Sequence, residues 1–591
     1  MKLINKYVKV GSILLLSLLM LACKKSFLEV QPRGVLGDKQ MASPQGVREA
    51  LISAYSDLDG QFDPNEGAWY YQQPDNWLFG SVAGGEAHKG SDPGDQSNAM
   101  SIARFEGSAS NPYFHSKWRW LYDGVARCNL VLRLAAKVDL EEDEKGNIIA
   151  QAHFLRGFYY FEAKKMWNSV PWVDTSVTYA AGNYQIPNDE DIFPKIEEEF
   201  KYAYDNLPET QEDIGRANKW AAGAFLAKTY LFEGKYNDAL PLLTDIINKG
   251  NTADGTAYAL QSQFNWNFNA LHQNSSESVF AIQASLHDGS EGFHGNHFDM
   301  LNYPYGNGAV TGCCGFFQPS IELVNAYRTD DNGLPLLDGS LDSPEYDLAN
   351  NAVKNDMGLS SSDAFTPDNG NLDPRVDWTV GRRGIPYLDW GDMPGKDWIR
   401  NQASAGPYSP KKNVFKKSDV GAAGDNSTTS WAPLNSINYS IIRFAQVLLW
   451  AAECEIKADN GDPAKAEEYV NRVRSRAANP DGFVRDDNGD PAATYNISTY
   501  PNGWFSSHPD KAIKAVHIEE LLELAMEGHR FFDLVRWGIA DKVINHYFDY
   551  EGQFTDDIKG AQFSAKNKYF PIPQQEIDLS NGTLKQNEGY R

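Results

Sequence analysis

Residues 220–243 read WAAGAFLAKTYLFEGKYNDALPLL, and this stretch decides the fold class. Ala221, Gly223 and Ala224 are small enough to let two helices approach closely. Tyr230 and Leu231 close the first helix, Gly234 ends it as glycine commonly does, and Tyr236 and Ala239 start a second. The pattern returns at residues 448–477, LLWAAECEIKADNGDPAKAEEYVNRVRSRA, where Ala451, Ala452, Gly461, Ala464 and Ala466 take the same parts.

Each stretch resembles a tetratricopeptide repeat, a helix–turn–helix unit of about 34 residues. The two copies are too far apart for a regular solenoid. The sequence therefore predicts a mainly α protein in which tetratricopeptide-like helical pairs form a scaffold, interrupted by long irregular insertions and a few short strands. Apolar periodicity adds helices over 47–58, 113–138, 148–167, 191–206, 513–528 and 529–537. The insertions fall near 61–110 and 250–436, rich in Gly, Asn, Trp and Tyr, with a strand-like piece at 278–284.

The 591 residues are 42% hydrophobic and 23% charged, which excludes a disordered, collagen-like or polytopic membrane chain. The net charge of −25 repels phosphate backbones and argues against a nucleic-acid partner. The first 22 residues predict a lipoprotein signal. Lys2, Lys6 and Lys9 precede an apolar run at 13–21 that is too short to span a bilayer, and Leu21-Ala22 leads directly into Cys23. Cys23 is then the lipid anchor, held by several acyl chains, and residues 23–591 are expected to form one domain. Without a CxxC pair, zinc-ribbon and thioredoxin readings fail. Cys128 and Cys454 read as buried small hydrophobes, while Cys313-Cys314 is either an adjacent disulfide or two free thiols.

Five further stretches are specific. They are CKKSFLEVQP at 23–32, AHFLRGFYYFEAKKMWNSVP at 152–171, IRFAQVLLWAAE at 442–453, EELLELAMEGHRFFDLVRWG at 519–538 and YFPIPQQEIDLSNGTLKQN at 569–587. Together, in this order, they resemble the SusD/RagB family of Bacteroidetes outer-membrane nutrient-binding lipoproteins. The resemblance implies a non-catalytic protein, lipid-anchored to the outer membrane and facing the cell exterior. It would bind an oligo- or polysaccharide and pass it to a SusC-like TonB-dependent transporter; some members take peptides, and a tetratricopeptide protein-interaction scaffold is a further alternative. Lys24-Lys25-Ser26 lacks the acidic cluster often found after the anchoring cysteine of surface-exported lipoproteins, which leaves a periplasm-facing placement open. The motifs themselves read as structural. On 519–537, Leu521, Leu524, Ala525, Phe532 and Val535 form an apolar side, and Glu520, Glu523 and Glu527 lie at helical spacing from Arg530 and Arg536.

Sugar rings stack their C–H faces on aromatic side chains, and their hydroxyls need polar groups that converge at the edge. Three loop clusters offer that mixture. The first holds Trp69, Tyr70, Tyr71, Asp75, Asn76 and Trp77, with Glu86, His88, Lys89, Asp92 and Asp95 beyond. The second holds Phe293, His294, Asn296, Asn302, Tyr303 and Tyr305. The third holds Tyr387, Asp389, Trp390, Asp392 and Trp398. These follow from composition and loop placement, not from the family motifs. His287, His294, His297 and Asp299 lie among glycines and lack the spacing of a zinc site, so neither metal nor cofactor is expected. A calcium ion near Asp92 and Asp95 has no support from spacing. No nucleophile elbow, HExxH or P-loop occurs, and the chain reads as a binder rather than an enzyme.

Overall fold

A computed structural model describes residues 41–60, 69–178, 181–290, 292, 294–310, 312–337, 352–412, 414–425 and 432–590. The leader, Cys23 and Phe293 lie outside them. The scaffold opens with α1 (Pro44–Ser56), whose first turn is fixed by proline at its start and by Ser43 Oγ accepting from Gly46 N at 3.1 Å. It continues with α2 (Pro112–Ala135), α3 (Glu142–Trp167), α4 (Phe193–Asn206), α5 (Lys219–Phe232) and α6 (Tyr236–Lys249). Helix α3 carries Glu142, Asp143 and Glu144 at its positive end and Lys164 and Lys165 at its negative end, which suits its dipole. Consecutive helices from α2 to α6 pack pairwise. Glycine sets the closest approach: a Cβ at Gly124 on α2 would lie 2.4 Å from the Tyr159 ring of α3.

The chain then leaves the scaffold for the long insertion and returns as α7 (Phe444–Lys457), which packs on α6. Helices α8 (Pro463–Ala477) and α9 (Pro509–Leu524) pack on α7, and α10 (Arg530–Arg536) and α11 (Ala540–Glu551) follow. Among the described residues four small antiparallel ribbons occur, and the two longest tie the insertions down. Strand β1 (Ala87–Gly90) pairs with β3 (Phe316–Pro319), and β2 (Ser278–Ile282) pairs with β4 (Tyr439–Arg443), which runs straight into α7. Buried apolar side chains from Val47 to Leu584 form one continuous core, and a smaller cluster gathers Tyr303, Tyr387, Trp398 and Phe415 in the insertion. Cys313 and Cys314 are joined as an adjacent disulfide, and Cys128 and Cys454 are buried and free.

The core also holds a dense cluster of buried charges. Of the pairs expected within 519–538, Glu520 does reach Arg536, at 3.5 Å. Glu523 and Glu527 turn away from that helix to partners distant in sequence. Glu523 meets Arg375 (3.1 Å), Arg443 (2.8 Å) and Arg476, and Glu527 meets Arg443 (2.8 Å) and Lys412 (2.7 Å). Glu519 joins Arg375 (2.6 Å) to Arg474 (2.8 Å), Glu277 joins Arg443 (2.8 Å) to Arg476 (3.0 Å), and Asp373 forks onto Arg375 (2.7 Å). The network thus holds five cations and five carboxylates, all buried. Isolated charges are not tolerated there, and pairing with several hydrogen bonds each is what makes the arrangement stable. It ties the insertion (Asp373, Arg375, Lys412) to β4, α8 and α9.

Candidate ligand-binding surface

The first predicted cluster is largely inside the protein. Trp77 begins a π-helical turn, is 1% exposed, and packs on Phe317 with ring centres 5.4 Å apart. The turn is pressed so closely onto the 519–538 segment that a Cβ at Gly80 would lie 1.9 Å from the carbonyl oxygen of Gly528. Asn76 is also buried; its Nδ2 donates to Glu162 (3.1 Å) and its Oδ1 accepts from Lys117 Nζ (2.8 Å). Asp75 is buried beside Asp299, and burial first, then repulsion from Asp299, pushes its carboxyl well above the usual range. Asp75, Asn76 and Trp77 therefore do not meet a ligand in this conformation. Asn76 is spent on anchoring the loop, whereas Asp75 Oδ1 and Trp77 Nε1 are buried with no hydrogen-bond partner among the described residues. Tyr71 is half-buried against Tyr113 (4.3 Å), and of Trp69 only the backbone, opening a short 3-10 turn, is described.

The same loop accounts for Asp92 and Asp95. Lys89 Nζ donates to their carbonyl oxygens (2.8 and 2.6 Å), and Arg400 pairs with their carboxylates (2.7 and 2.6 Å). Side-chain cations already serve the oxygens that a calcium ion would need. His88 is buried between Asp557 (3.1 Å) and Glu551 (2.9 Å). Burial pulls its imidazole down, but the two carboxylates outweigh this and raise it to about 10.

The second cluster divides. Asn302 and Tyr303 are buried, with Asn302 Nδ2 donating to Asp299 (3.1 Å) and the Tyr303 hydroxyl accepting from Asn435 Nδ2 (2.6 Å). Neither can touch a ligand here, because each is needed to satisfy a buried neighbour. Tyr305 is half-exposed under the Arg400 guanidinium (5.2 Å), and His294 is exposed, paired with Asp288 (2.6 Å). His297 Nε2 faces the Gly292 carbonyl (2.9 Å) and Asp299 holds Asn296 (2.9 Å), so these groups address different partners.

The third cluster leads to a surface. Tyr387 and Trp398 are buried against each other (5.5 Å). Trp390 is half-exposed and donates from Nε1 to the Phe415 carbonyl (3.0 Å), and exposed Asp389 accepts from the backbone N–H of Lys417 (2.5 Å) and Ser418 (2.9 Å). These two residues hold the 415–419 loop as one wall of a shallow surface groove that encloses only about 20 Å³. The opposite wall is the segment around Phe264–Phe268, with Trp378 and Ile437 between. Phe268 and Trp378 are half-exposed, and Asn265 Oδ1, buried in the lining, has no donor among the described residues. Next to it Trp266 stacks flat on His272 (4.2 Å), with Leu271 77% exposed at the tip. The floor is stiff: Lys412 lies over the rings of Phe264 (4.9 Å) and Phe268 (4.6 Å), Arg476 over Phe264 (5.4 Å) and Arg443 over Phe268 (5.6 Å). The central ion network thus supports the aromatic side of the groove through cation–π contacts. The one lysine deep in the lining, Lys411, is spent on the Asp377 and Pro386 carbonyls, and Lys416 and Asp419 balance at the rim.

The wall at 263–274, QFNWNFNALHQN, is absent from the three predicted clusters. Its signal is an alternation of amides and aromatics, denser than in any of them.

The family model described as "SusD family" matches residues 276–590, more than half of the chain. The chain belongs to the SusD family. A second model, described as "Starch-binding associating with outer membrane", matches residues 67–231. Among SusD-family relatives, SusD-like protein P25 of Formosa agariphila is 25% identical over 99% of this chain and 100% of its own. A SusD superfamily protein of Bacteroides vulgatus has the same fold, with a TM-score of 0.65 at 20% identity, covering 92% of this chain and 99% of its own. Surface glycan-binding protein A of Bacteroides thetaiotaomicron, solved in complex with laminarihexaose, gives 0.63 at 21% identity, covering 92% and 99%. The SusD fold is thereby established for this chain, and the helical pairs expected from 220–243 and 448–477 are its scaffold.

Proposed function

We propose that this SusD-family protein binds glycan at the groove between residues 264–275 and 415–419, without turnover, and delivers it to a SusC-like TonB-dependent transporter in the outer membrane. The observation that carries the reading is the groove itself: half-exposed Phe268 and Trp378 stand beside Asn265 and Asn269, with almost no uncompensated charge. Rings supply flat apolar faces, amides supply both donors and acceptors, and a rigid floor lowers the ordering cost of binding. Family membership and the binding of laminarihexaose by a protein of the same fold support the ligand class. Residues 23–591 act as one domain held by the lipid on Cys23, with the exposed half-buried aromatics Tyr71, Tyr305 and Trp390 retained as contact candidates.

The test is calorimetry of the soluble form, lacking residues 1–23, against neutral plant, host and microbial polysaccharides with a peptide pool alongside. Trp378→Ala should weaken glycan binding about tenfold, the ~1.4 kcal/mol expected of a lost stacking partner. Binding of peptides alone would overturn the glycan reading, and full affinity in Trp378→Ala would overturn the site. Cys23→Ala should move the protein from the membrane to the soluble fraction, and unchanged membrane association would refute the anchor.

A further inference from the structure

A second hollow shares no residue with the groove and is far roomier. It encloses about 250 Å³, against about 20 Å³ for the groove, which is space for a small molecule rather than a single water. Three parts of the chain build it. Helix α1 ends at Ser56, and a 3-10 turn at Asp57–Asp59 closes on Gly60, whose φ of 96° suits only glycine well. That turn buries Leu58 and leaves Asp59 half-buried in the lining, with Ile52 and Tyr55 of the helix. Gly215 and Arg216, in the connection before α5, and Ile282 and Gln283 at the end of β2 complete the walls. A Cβ at Gly215 would lie 2.8 Å from Cγ of Gln283, so glycine lets that connection close on β2.

The chemistry of this cleft differs from that of the groove. Its apolar surface is aliphatic, from Ile52 (53% exposed), Leu58 and Ile282. Tyr55 is the one Phe, Tyr or Trp in the lining, and the Arg216 guanidinium already lies on its ring (4.6 Å). Two opposite charges stand in this apolar setting. The Asp59 carboxylate accepts a hydrogen bond from its own backbone alone; burial pushes it up to about 7, against the pull of His294 and Arg127. Arg216 pairs with Asp213 at 3.4 Å, but that carboxylate is 70% exposed, and such surface pairs are weak. His294 is held by Asp288 (2.6 Å), and the Gln283 amide by Asn274 (3.1 Å).

We propose that this cleft is a second ligand site, for a small zwitterion with an apolar side chain: a free hydrophobic amino acid or a dipeptide. Its ammonium meets Asp59, its carboxylate meets Arg216, and its side chain fills the space between Ile52, Leu58 and Ile282. The ammonium supplies the donors that the Asp59 carboxylate lacks, and a carboxylate takes the place of exposed Asp213 on the guanidinium fork. A neutral sugar offers neither charge. An ion of one sign leaves the opposite group unmatched in an apolar cleft, which is costly. The proposal goes beyond the glycan reading of the groove and does not depend on it.

The experiment is calorimetry of the full chain in detergent with four probes: leucine, leucyl-leucine, leucinamide, which lacks the carboxylate, and N-acetylleucine, which lacks the ammonium. Leucine or leucyl-leucine should bind one to one, and the tighter of the two identifies the source as amino acid or dipeptide. Each capped probe should bind about tenfold more weakly, because one charged hydrogen-bonding group is lost. Asp59→Asn should weaken the zwitterion about tenfold and leave N-acetylleucine unchanged. Ile52→Asp, at an exposed rim position that does not endanger folding, should weaken every probe, and Trp378→Ala in the groove should weaken none. No binding of either zwitterion, capped probes that bind as tightly as leucine, or full zwitterion affinity in Asp59→Asn and Ile52→Asp would each overturn the site. Competition between laminarihexaose and leucine would overturn it as well, by assigning the cleft to sugar. Loss of glycan binding alone in Trp378→Ala, with leucine unaffected, would support two separate sites.

Discussion

Replacing Glu523 by Gln tests the core and the groove together. The side chain is fully buried and is shared by Arg375, Arg443 and Arg476. Burial pushes its carboxyl up, but Arg476, Arg443 and Arg375 outweigh that and hold it far below the usual range. Five cations would then face four carboxylates with no water to screen them. Breaking a buried pair in this way costs about 3–5 kcal/mol. Unfolding entropy of about 2.1 cal/mol/K per residue gives a chain of 591 residues roughly 1.2 kcal/mol/K, so the melting temperature should fall by about 2–4 °C. Because the folded pKa is depressed, the stabilisation is present above the unfolded value of 4.5 and is lost only as pH falls below it. The calorimetric difference between variant and parent should therefore be flat from pH 6 to 8 and shrink only in acid. Glu144→Gln, which breaks an exposed pair with Arg48, is the control and should not move the transition. Glycan affinity should weaken in Glu523→Gln, since Phe264 and Phe268 rest on Arg476, Arg443 and Lys412. A transition within a degree of the parent at pH 7, with unaltered binding, would refute the claim that this network is balanced charge by charge and supports the groove.

His88 titrates the other way. Its folded pKa, about 10, is raised, so its contribution is fully present below the unfolded value of 6.5 and disappears as pH rises through 10. The parent should lose melting temperature between pH 7 and 10 more steeply than His88→Gln, and parallel profiles would contradict the assignment. Trp77→Ala should lower the transition by about 2–4 °C, from the ~3–5 kcal/mol typical of emptying a buried aromatic site. Glycan affinity of the folded variant should be unchanged, and a selective loss of binding would return Trp77 to the ligand site.

The scaffold is legible because its information is local. Small residues at 221, 223 and 224, a glycine at 234 and prolines at the first turns of α1 and α2 each act within one helix or one turn. Of the salt bridges expected within 519–538, Glu520–Arg536 forms, whereas Glu523 and Glu527 take partners from farther along the chain. Helical spacing places Glu523 near Arg530, but it cannot reveal that Arg375, Arg443 and Arg476 arrive from the insertion, β4 and α8. The first loop cluster misleads for a related reason. A segment that plugs into a core needs aromatic bulk and matched polar atoms, which is also what a sugar site needs, and composition does not separate Trp77 in its pocket from Trp378 at a surface. The groove wall at 264–274 was readable as an amide–aromatic alternation, but its partner loop at 415–419 is set by Asp389 and Trp390 hydrogen bonds that no spacing announces.

The tail after α11 closes contacts laid down early in the chain. Phe570 N donates to the Met166 carbonyl (2.9 Å), Trp167 Nε1 to Pro571 (3.1 Å), Gln574 N to Ala109 (2.9 Å), and Lys585 N to Asn188 Oδ1 (2.9 Å). His88 likewise waits for Glu551 and Asp557. During synthesis α2 and α3 are made hundreds of residues before these partners exist. A chain emerging at about 5–20 residues per second spends tens of seconds with Trp167 and His88 uncovered. Folding of the early helices thus waits on residues 551–585: fragments cut short of residue 551 lack the partners of His88, Trp167 and Asn188.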